Sequence, residues 1–230
     1  ARGRSVIVGI HQPAYLPWLG YFDRIRSVDL FIFLDTVQFQ KGSFQNRNKV
    51  LTGNGPVWLT VPVETAGKLF ATELKDIRID AGQRWQSKHW STLKLNYSSA
   101  PAYRAVAPLL EPFYQREWLG LSDLCWEMLL VFNRLLGIET KIIRASELGP
   151  IEGKKSDLVL NLCREVQAST YLSGSQGRDY LDVASFSDAG INVDYQSYTP
   201  KPYTQRFKEF VPALGVVDLL FNEPEPRACF

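Results

Sequence analysis

Two short apolar runs, residues 6–10 and 30–34, constrain this chain more than any other feature. The first is apolar and, apart from Gly9, β-branched, the pattern of a strand buried on both faces. His11-Gln12-Pro13 ends it. Pro13 and Pro17 each lack an N–H and fix φ, so the chain must leave the sheet there. Residues 18–28 place Tyr21, Phe22, Ile25 and Val28 on one helical face. The second run, between Asp29 and Asp35, reads as another buried strand. Strand, loop, helix, strand is a βαβ unit. Such a unit pairs its strands in parallel through a right-handed crossover.

The remainder alternates in the same way. Residues 36–49 are polar and aromatic with no clear period, and Asn54-Gly55-Pro56 marks a turn. Residues 57–63 read as a third strand ended near Pro62. Ile77 and Ile79 alternate with charged neighbours, which predicts a strand over 74–79. Helical patterns follow at 83–97, 101–118 and 122–136, with Ser122 and Asp123 as N-cap candidates and Gly137 as a C′ residue. Strands are predicted at 140–145, 169–173 and 190–196. Helices are predicted at 156–167, with Ser156 as N-cap, and at 179–186. The tail holds Phe207, Phe210, Leu214, Val216, Leu219 and Phe221, too apolar for a free end. With no repeat or linker, the economical reading is one α/β domain over 1–230. It has a mostly parallel sheet in three layers and a helical insert at about 83–136.

Composition excludes several function classes. Of 230 residues, 45% are apolar and 22% charged, so the chain can bury enough surface to fold. Twenty-six Lys and Arg against 24 Asp and Glu leave +2, too little for bulk attraction to nucleic acid. Cys125, Cys163 and Cys229 form no CxxC pair, which argues against a zinc ribbon or redox dithiol and fits a reducing compartment. With His11 and His89 as its two histidines, the chain offers no multi-histidine metal site, and no metal is assigned. The longest apolar runs fall far short of the roughly 20 residues that span a bilayer. Ala1-Arg2-Gly3-Arg4-Ser5 leads directly into the first strand without a long apolar leader, and the lack of an initiator Met reads as a trimmed start. A cytoplasmic setting is expected.

Three segments carry chemistry. The first is His11-Gln12-Pro13-Ala14-Tyr15-Leu16-Pro17-Trp18-Leu19-Gly20-Tyr21, which follows the first strand. Ligands of open parallel sheets bind outside the strands' C-terminal ends. A histidine there can serve as acid, base or phosphate ligand, and Gly20 can let backbone approach an anion near a helix start. The bland reading is a proline-stiffened turn with satisfied polar groups. The second segment collects Lys41, Asn46, Arg47, Asn48 and Lys49, cations and amides suited to a phosphate or carboxylate, or else a solvated basic loop. Phe39 and Phe44 between them fit base stacking and a packed hairpin equally. The third is Ser173-Gly174-Ser175-Gln176-Gly177-Arg178, a turn that can hold an anion but is neither a Walker A nor a GxGxxG pattern. His89 reads as a helix-packing histidine, Cys125 and Cys163 as buried thiols, and Asp29 and Asp35 as capping or turn residues.

The blocks Gly9-Ile-His-Gln-Pro-Ala-Tyr-Leu-Pro-Trp-Leu-Gly-Tyr-Phe22, Phe31-Ile-Phe-Leu-Asp-Thr-Val-Gln-Phe39, Asn46-Arg-Asn-Lys49, Trp58-Leu-Thr-Val-Pro62, Tyr171-Leu-Ser-Gly-Ser175 with Arg178-Asp-Tyr-Leu181, and Val217-Asp-Leu-Leu-Phe-Asn222 resemble the WbqC-like family over nearly the whole chain. That resemblance implies a place in O-antigen or other surface-polysaccharide and amino-sugar biosynthesis. The blocks are also remotely similar to the nucleotidylyltransferase superfamily, which implies a Rossmann-like sheet. It also implies that His11 and the 173–178 turn meet at one phosphate pocket. The sequence departs from that superfamily's HxGH signature, because Gln12-Pro13 follows His11.

The expectation is therefore a transferase of acyl, aminoacyl or nucleotidyl type. It would act on an activated, phosphate-bearing substrate such as a nucleotide-linked amino sugar. His11, Gln12 and Tyr15 would be the catalytic group. Lys41, Asn46, Arg47, Lys49, Ser173, Gly174, Ser175 and Arg178 would hold charge, and Trp18, Gly20, Tyr21 and Trp58 would wall the ligand. A nucleotide is the cofactor this chemistry admits; magnesium is allowed but nothing singles it out. The alternative is a non-catalytic nucleotide-sugar-binding or assembly protein. tRNA is a third, less favoured partner, and the oligomeric state is left open.

Overall fold

The computed structural model describes residues 5–64 and 71–229. Ala1 to Arg4, read above for a leader, lie outside the described residues. The chain divides into two compact units, the first built from 1–12, 20–36 and 139–199, the second from 13–19, 37–138 and 200–230.

The first unit is a parallel sheet with helices. Its strands are β1 (Ile7–His11), β2 (Leu30–Phe33), β5 (Lys141–Arg144), β6 (Thr170–Ser173) and β7 (Asn192–Tyr195), ordered β5-β2-β1-β6-β7. All four pairings are parallel. This is the α/β class expected, and α1 (Leu19–Arg26) joins β1 to β2 as the predicted βαβ unit. Val8, Ile10, Phe31, Ile32 and Phe33 are all buried, as strands covered on both faces require. A Cβ at Gly9 would press on Val28 and Phe31, so this small residue lets β1 sit closely against them. Asp29 and Asp35 do the structural work expected of them. The Asp29 carboxylate accepts from the Ile7 N–H at 2.8 Å. Buried Asp35 accepts from the Ser146 N–H at 2.9 Å and the Ser146 hydroxyl at 2.6 Å.

The helices α5 (Ser156–Glu165) and α6 (Val183–Asp188) begin differently from the sequence expectation. Lys155, at φ 51°, occupies the N-cap position of α5, and the Ser156 hydroxyl instead accepts from the Asp182 N–H at 2.9 Å. The expected helix at 179–186 starts at Val183, because Asp182 caps it through Ser185. Residues 175–179 form a 3-10 turn rather than an open loop.

The second unit carries an antiparallel hairpin, β3 (Arg47–Thr52) and β4 (Gly55–Thr60), and the helices α2 (Trp85–Tyr97), α3 (Tyr103–Gln115), α4 (Leu121–Leu135) and α7 (Val216–Asn222). The three middle helices lie where their apolar periodicity put them. Four local readings are corrected. β3 replaces the patternless stretch, and β4 starts at Gly55, inside the expected turn. Residues 74–79 form no strand: Leu74–Asp76 is a 3-10 turn, and Arg78 and Ile79 make isolated bridges to Gly120 and Val63. Gly120 stands at the N-cap of α4, so Ser122 lies inside the helix with a buried hydroxyl.

The tail is ordered as expected, and every residue of α7 is buried. Phe207 is the exception and stays largely exposed. The fully buried Asp218 carboxylate accepts from Tyr97 Oη at 2.6 Å, Tyr203 Oη at 2.8 Å and Gln205 Nε2 at 2.9 Å. Tyr97 Oη in turn accepts from the Leu51 N–H at 2.9 Å. These bonds satisfy a carboxylate that would be very costly to bury alone. Among the described residues no helix is long and apolar enough to cross a membrane.

Candidate functional site

In the first unit, β2 and β5 lie to one side of β1 and β6 and β7 to the other. The strand order reverses between β1 and β6, and a crevice at the C-terminal ends of two such strands is where open α/β sheets take ligands. His11 ends β1 and Ser173 ends β6. Parallel pairing of β1 with β6 puts both ends on the same side of the sheet.

His11 is half-buried and held in one tautomer. Its Nδ1–H donates to the Gln12 carbonyl at 2.9 Å, because a carbonyl can only accept. Nε2 therefore carries the lone pair of the neutral ring. Burial, reinforced by the Arg24 charge, lowers its pKa to about 4. Tyr21 packs edge-on at 4.7 Å and donates its hydroxyl to the same Gln12 carbonyl at 3.1 Å.

Arg24 is a site residue that local sequence pattern does not single out. Its Nε donates to Gln196 Oε1 at 3.1 Å and Nη1 to the Ile10 carbonyl at 3.4 Å. Among the described residues no carboxylate lies within 4 Å of it. Its Nη2 lies against Gly174, where a Cβ would run into the guanidinium. Burial lowers the Arg24 pKa, and the neighbouring Tyr171, Tyr21, Tyr180 and Asp23 oppose that shift. The Gln196 amide is oriented by donating to the Gly20 carbonyl and Asp23 Oδ2, both at 2.8 Å. An arginine in the last turn of a short helix, beside a second one at Arg26, reads as solvated. Its burial comes from segments about 150 residues away, which no local pattern reveals.

The 173–178 turn closes this end of β6. Ser173 Oγ donates to the Gly174 carbonyl at 2.9 Å, and a Cβ at Gly177 would collide with that same Oγ. Ser175 and Arg178 are exposed, with the Arg178 guanidinium 4.0 Å above the Tyr195 ring. The first unit thus brings His11, Gln12, Gly20, Tyr21, Ser173, Gly174, Ser175 and Arg178 to one end of the sheet, together with Arg24.

The other expected residues belong to the second unit. Tyr15 is fully buried, with its hydroxyl 2.8 Å from both His89 Nδ1 and Tyr114 Oη. His89 Nε2 lies 3.0 Å from the Thr60 carbonyl and must donate to it. Burial lowers the His89 pKa to about 4, so the ring is neutral and Nδ1 accepts. Tyr15 thus donates to His89, and Tyr114 donates to Tyr15. His89 is the packing histidine expected. Asn46 is also interior, its Nδ2 donating to the Val61 carbonyl at 2.9 Å. Lys41 is exposed, as is much of Trp18. Arg47, Lys49 and Trp58 meet on the hairpin: Arg47 Cζ lies 4.1 Å and Lys49 Nζ 4.9 Å from the Trp58 ring centroid. Phe39 is buried and takes no part in any surface. Burial pushes the Cys163 thiol up to about 12 and Cys125 higher still, so neither is a nucleophile at neutral pH. Among the described residues no group of three His, Cys, Asp or Glu side chains is placed to hold a metal.

The model of the WbqC-like protein family matches residues 12–228. The chain belongs to the WbqC-like family. It is 37% identical over 219 residues to the uncharacterized protein Rv1507c of Mycobacterium tuberculosis, covering 94% of this chain and 93% of that one. No solved structure matches it.

Proposed function

We propose that this WbqC-like protein is a transferase whose first unit holds the anionic group of an activated donor at the β1–β6 crevice. The observation that carries this reading is Arg24, a mostly buried guanidinium whose Nη2 lies against Gly174 and which, among the described residues, has no carboxylate within 4 Å. Asp23 favours the Arg24 charge only from beyond contact distance, so desolvation still dominates, and an anionic ligand in direct contact would offset that cost. Arg178 adds exposed positive charge at the same sheet end. A phosphate on Arg24 offsets the charge that depresses His11, raising its pKa towards neutrality where a general base works best.

In the transfer step, the acceptor's hydroxyl or amine forms a bond to the electrophilic carbon or phosphorus of the donor. Its proton passes to His11 Nε2, and the bond pair leaves with the phosphate-bearing group, whose charge Arg24 and Arg178 neutralise. The parallel sheet and this crevice support a nucleotidylyltransferase-like, Rossmann-like reading. The family resemblance supports nucleotide-linked amino sugars or activated acyl groups of surface-polysaccharide biosynthesis as donors.

The test is a thermal-shift screen with nucleotide sugars, nucleotides, acyl-CoAs and inorganic phosphate. A ligand at 100 times its Kd stabilises by about 2.7 kcal/mol. The expected hit is lost in Arg24→Met. A shift that survives both Arg24→Met and His11→Gln overturns the site. Binding without turnover assigns the protein to the non-catalytic class.

A further inference from the structure

We infer that the β3–β4 hairpin of the second unit is a binding surface for single-stranded nucleic acid. Two large rings stand open there, Trp58 on β4 and Phe44 in the turn before β3: Phe44 is 57% and Trp58 41% exposed, with centroids 5.7 Å apart. Antiparallel register pairs Lys49 directly with Trp58 and sets Arg47 on the diagonal, so both cations border the indole.

The segment that carries these rings bears charge of one sign. Residues 36–63 contain Lys41, Arg47 and Lys49 and no Asp or Glu. None of the three cations has a carboxylate within 4 Å among the described residues. Arg47 Nη2 is anchored on the Gly42 carbonyl at 2.6 Å, while its buried Nε has no partner. The complementary ligand therefore carries both π faces and negative charges. A net charge of +2 does not oppose this, because screening makes a chain phosphate respond to charges within roughly 10 Å.

The openness of the surface selects a strand over a mononucleotide. Small ligands gain affinity by enclosure, and the exposed hairpin rings provide little. A single strand binds open platforms well, since each base stacks on a ring while successive phosphates meet successive cations. A duplex keeps its bases stacked on each other and cannot offer them to Phe44 and Trp58.

The probe is a fluorescein-labelled U12 oligoribonucleotide, titrated with the full chain by anisotropy at several salt concentrations. If all three cations meet phosphates, log K falls with log salt at a slope of about −2. Trp58→Ala is expected to weaken binding about tenfold and Trp58→Phe far less, with thermal melting to establish that both fold. Arg47→Ala and Lys49→Ala each flatten the slope by about 0.7. The inference is overturned if U12 does not bind at low salt, if Trp58→Ala binds as tightly as the wild type, or if UMP or a 12-base-pair duplex RNA binds as well as U12. Because Arg24 plays no part in this assay, failure here leaves the transferase reading standing, and the reverse also holds.

Discussion

Acid should destabilise this protein through His89, by an amount that follows from its environment. The ring is neutral in the folded state, donating from Nε2 to Thr60 and accepting at Nδ1 from Tyr15. Burial holds its pKa at about 4, against an ordinary value of 6.5. A depressed histidine pKa means that the unfolded chain binds the proton more tightly. The resulting stability is full above pH 6.5 and is lost progressively as pH falls from there through about 4. Linkage puts the loss from this group at about 2 kcal/mol at pH 5 and about 3 kcal/mol at pH 4, relative to pH 8. His89→Gln removes the titrating ring while its amide can keep one of the two hydrogen bonds. Urea denaturation at pH 8 and pH 5 measures both proteins. The variant should be less stable at pH 8, yet lose about 2 kcal/mol less than the wild type on moving to pH 5. Equal losses in the two proteins would refute the neutral, doubly bonded assignment of His89.

Other perturbations test the same physics elsewhere. Tyr15→Phe strands the His89 Nδ1 acceptor and the Tyr114 hydroxyl, and should cost about 3 kcal/mol in chemical denaturation. Gly177→Ala drives a methyl into Ser173 Oγ and should cost about 2 kcal/mol, with a smaller penalty in a Ser173→Ala background when the double-mutant cycle is measured by denaturation. Asp218→Ala leaves Tyr97, Tyr203 and Gln205 without their acceptor; about 3 kcal/mol should be lost, and limited proteolysis should cut within residues 200–215. Inorganic phosphate should raise the His11 pKa above about 4 in an NMR titration, and Arg24→Met should raise it without phosphate, since the Arg24 charge contributes to its depression.

The sequence by itself determined the βαβ opening, the helices of the middle third and the placement of His11 and Ser173 at strand ends. Those features rest on short-range physics. Continuous apolar runs suit strands buried on both faces, 3.6-residue periodicity suits packed helices, and proline ends what it cannot continue. The tertiary structure decided what depends on distant partners. β3 was illegible because Arg47, Asn48 and Lys49 hide its alternation; Asn48 is tolerated inside only because its Nδ2 donates to the Leu16 carbonyl at 2.7 Å. Residues 74–79 alternate like a strand but find only isolated bridges, so alternation without a continuous neighbour made no sheet. Tyr15 read as a loop residue free to orient a substrate, and its burial depends on His89 and Tyr114, which lie 74 and 99 residues away. Arg24 has the local pattern of a solvated helix residue, and Gly174 and Gln196 close over it. Local pattern sets what a segment can become, whereas burial and charge at a site are set by whichever remote segments the fold packs against it.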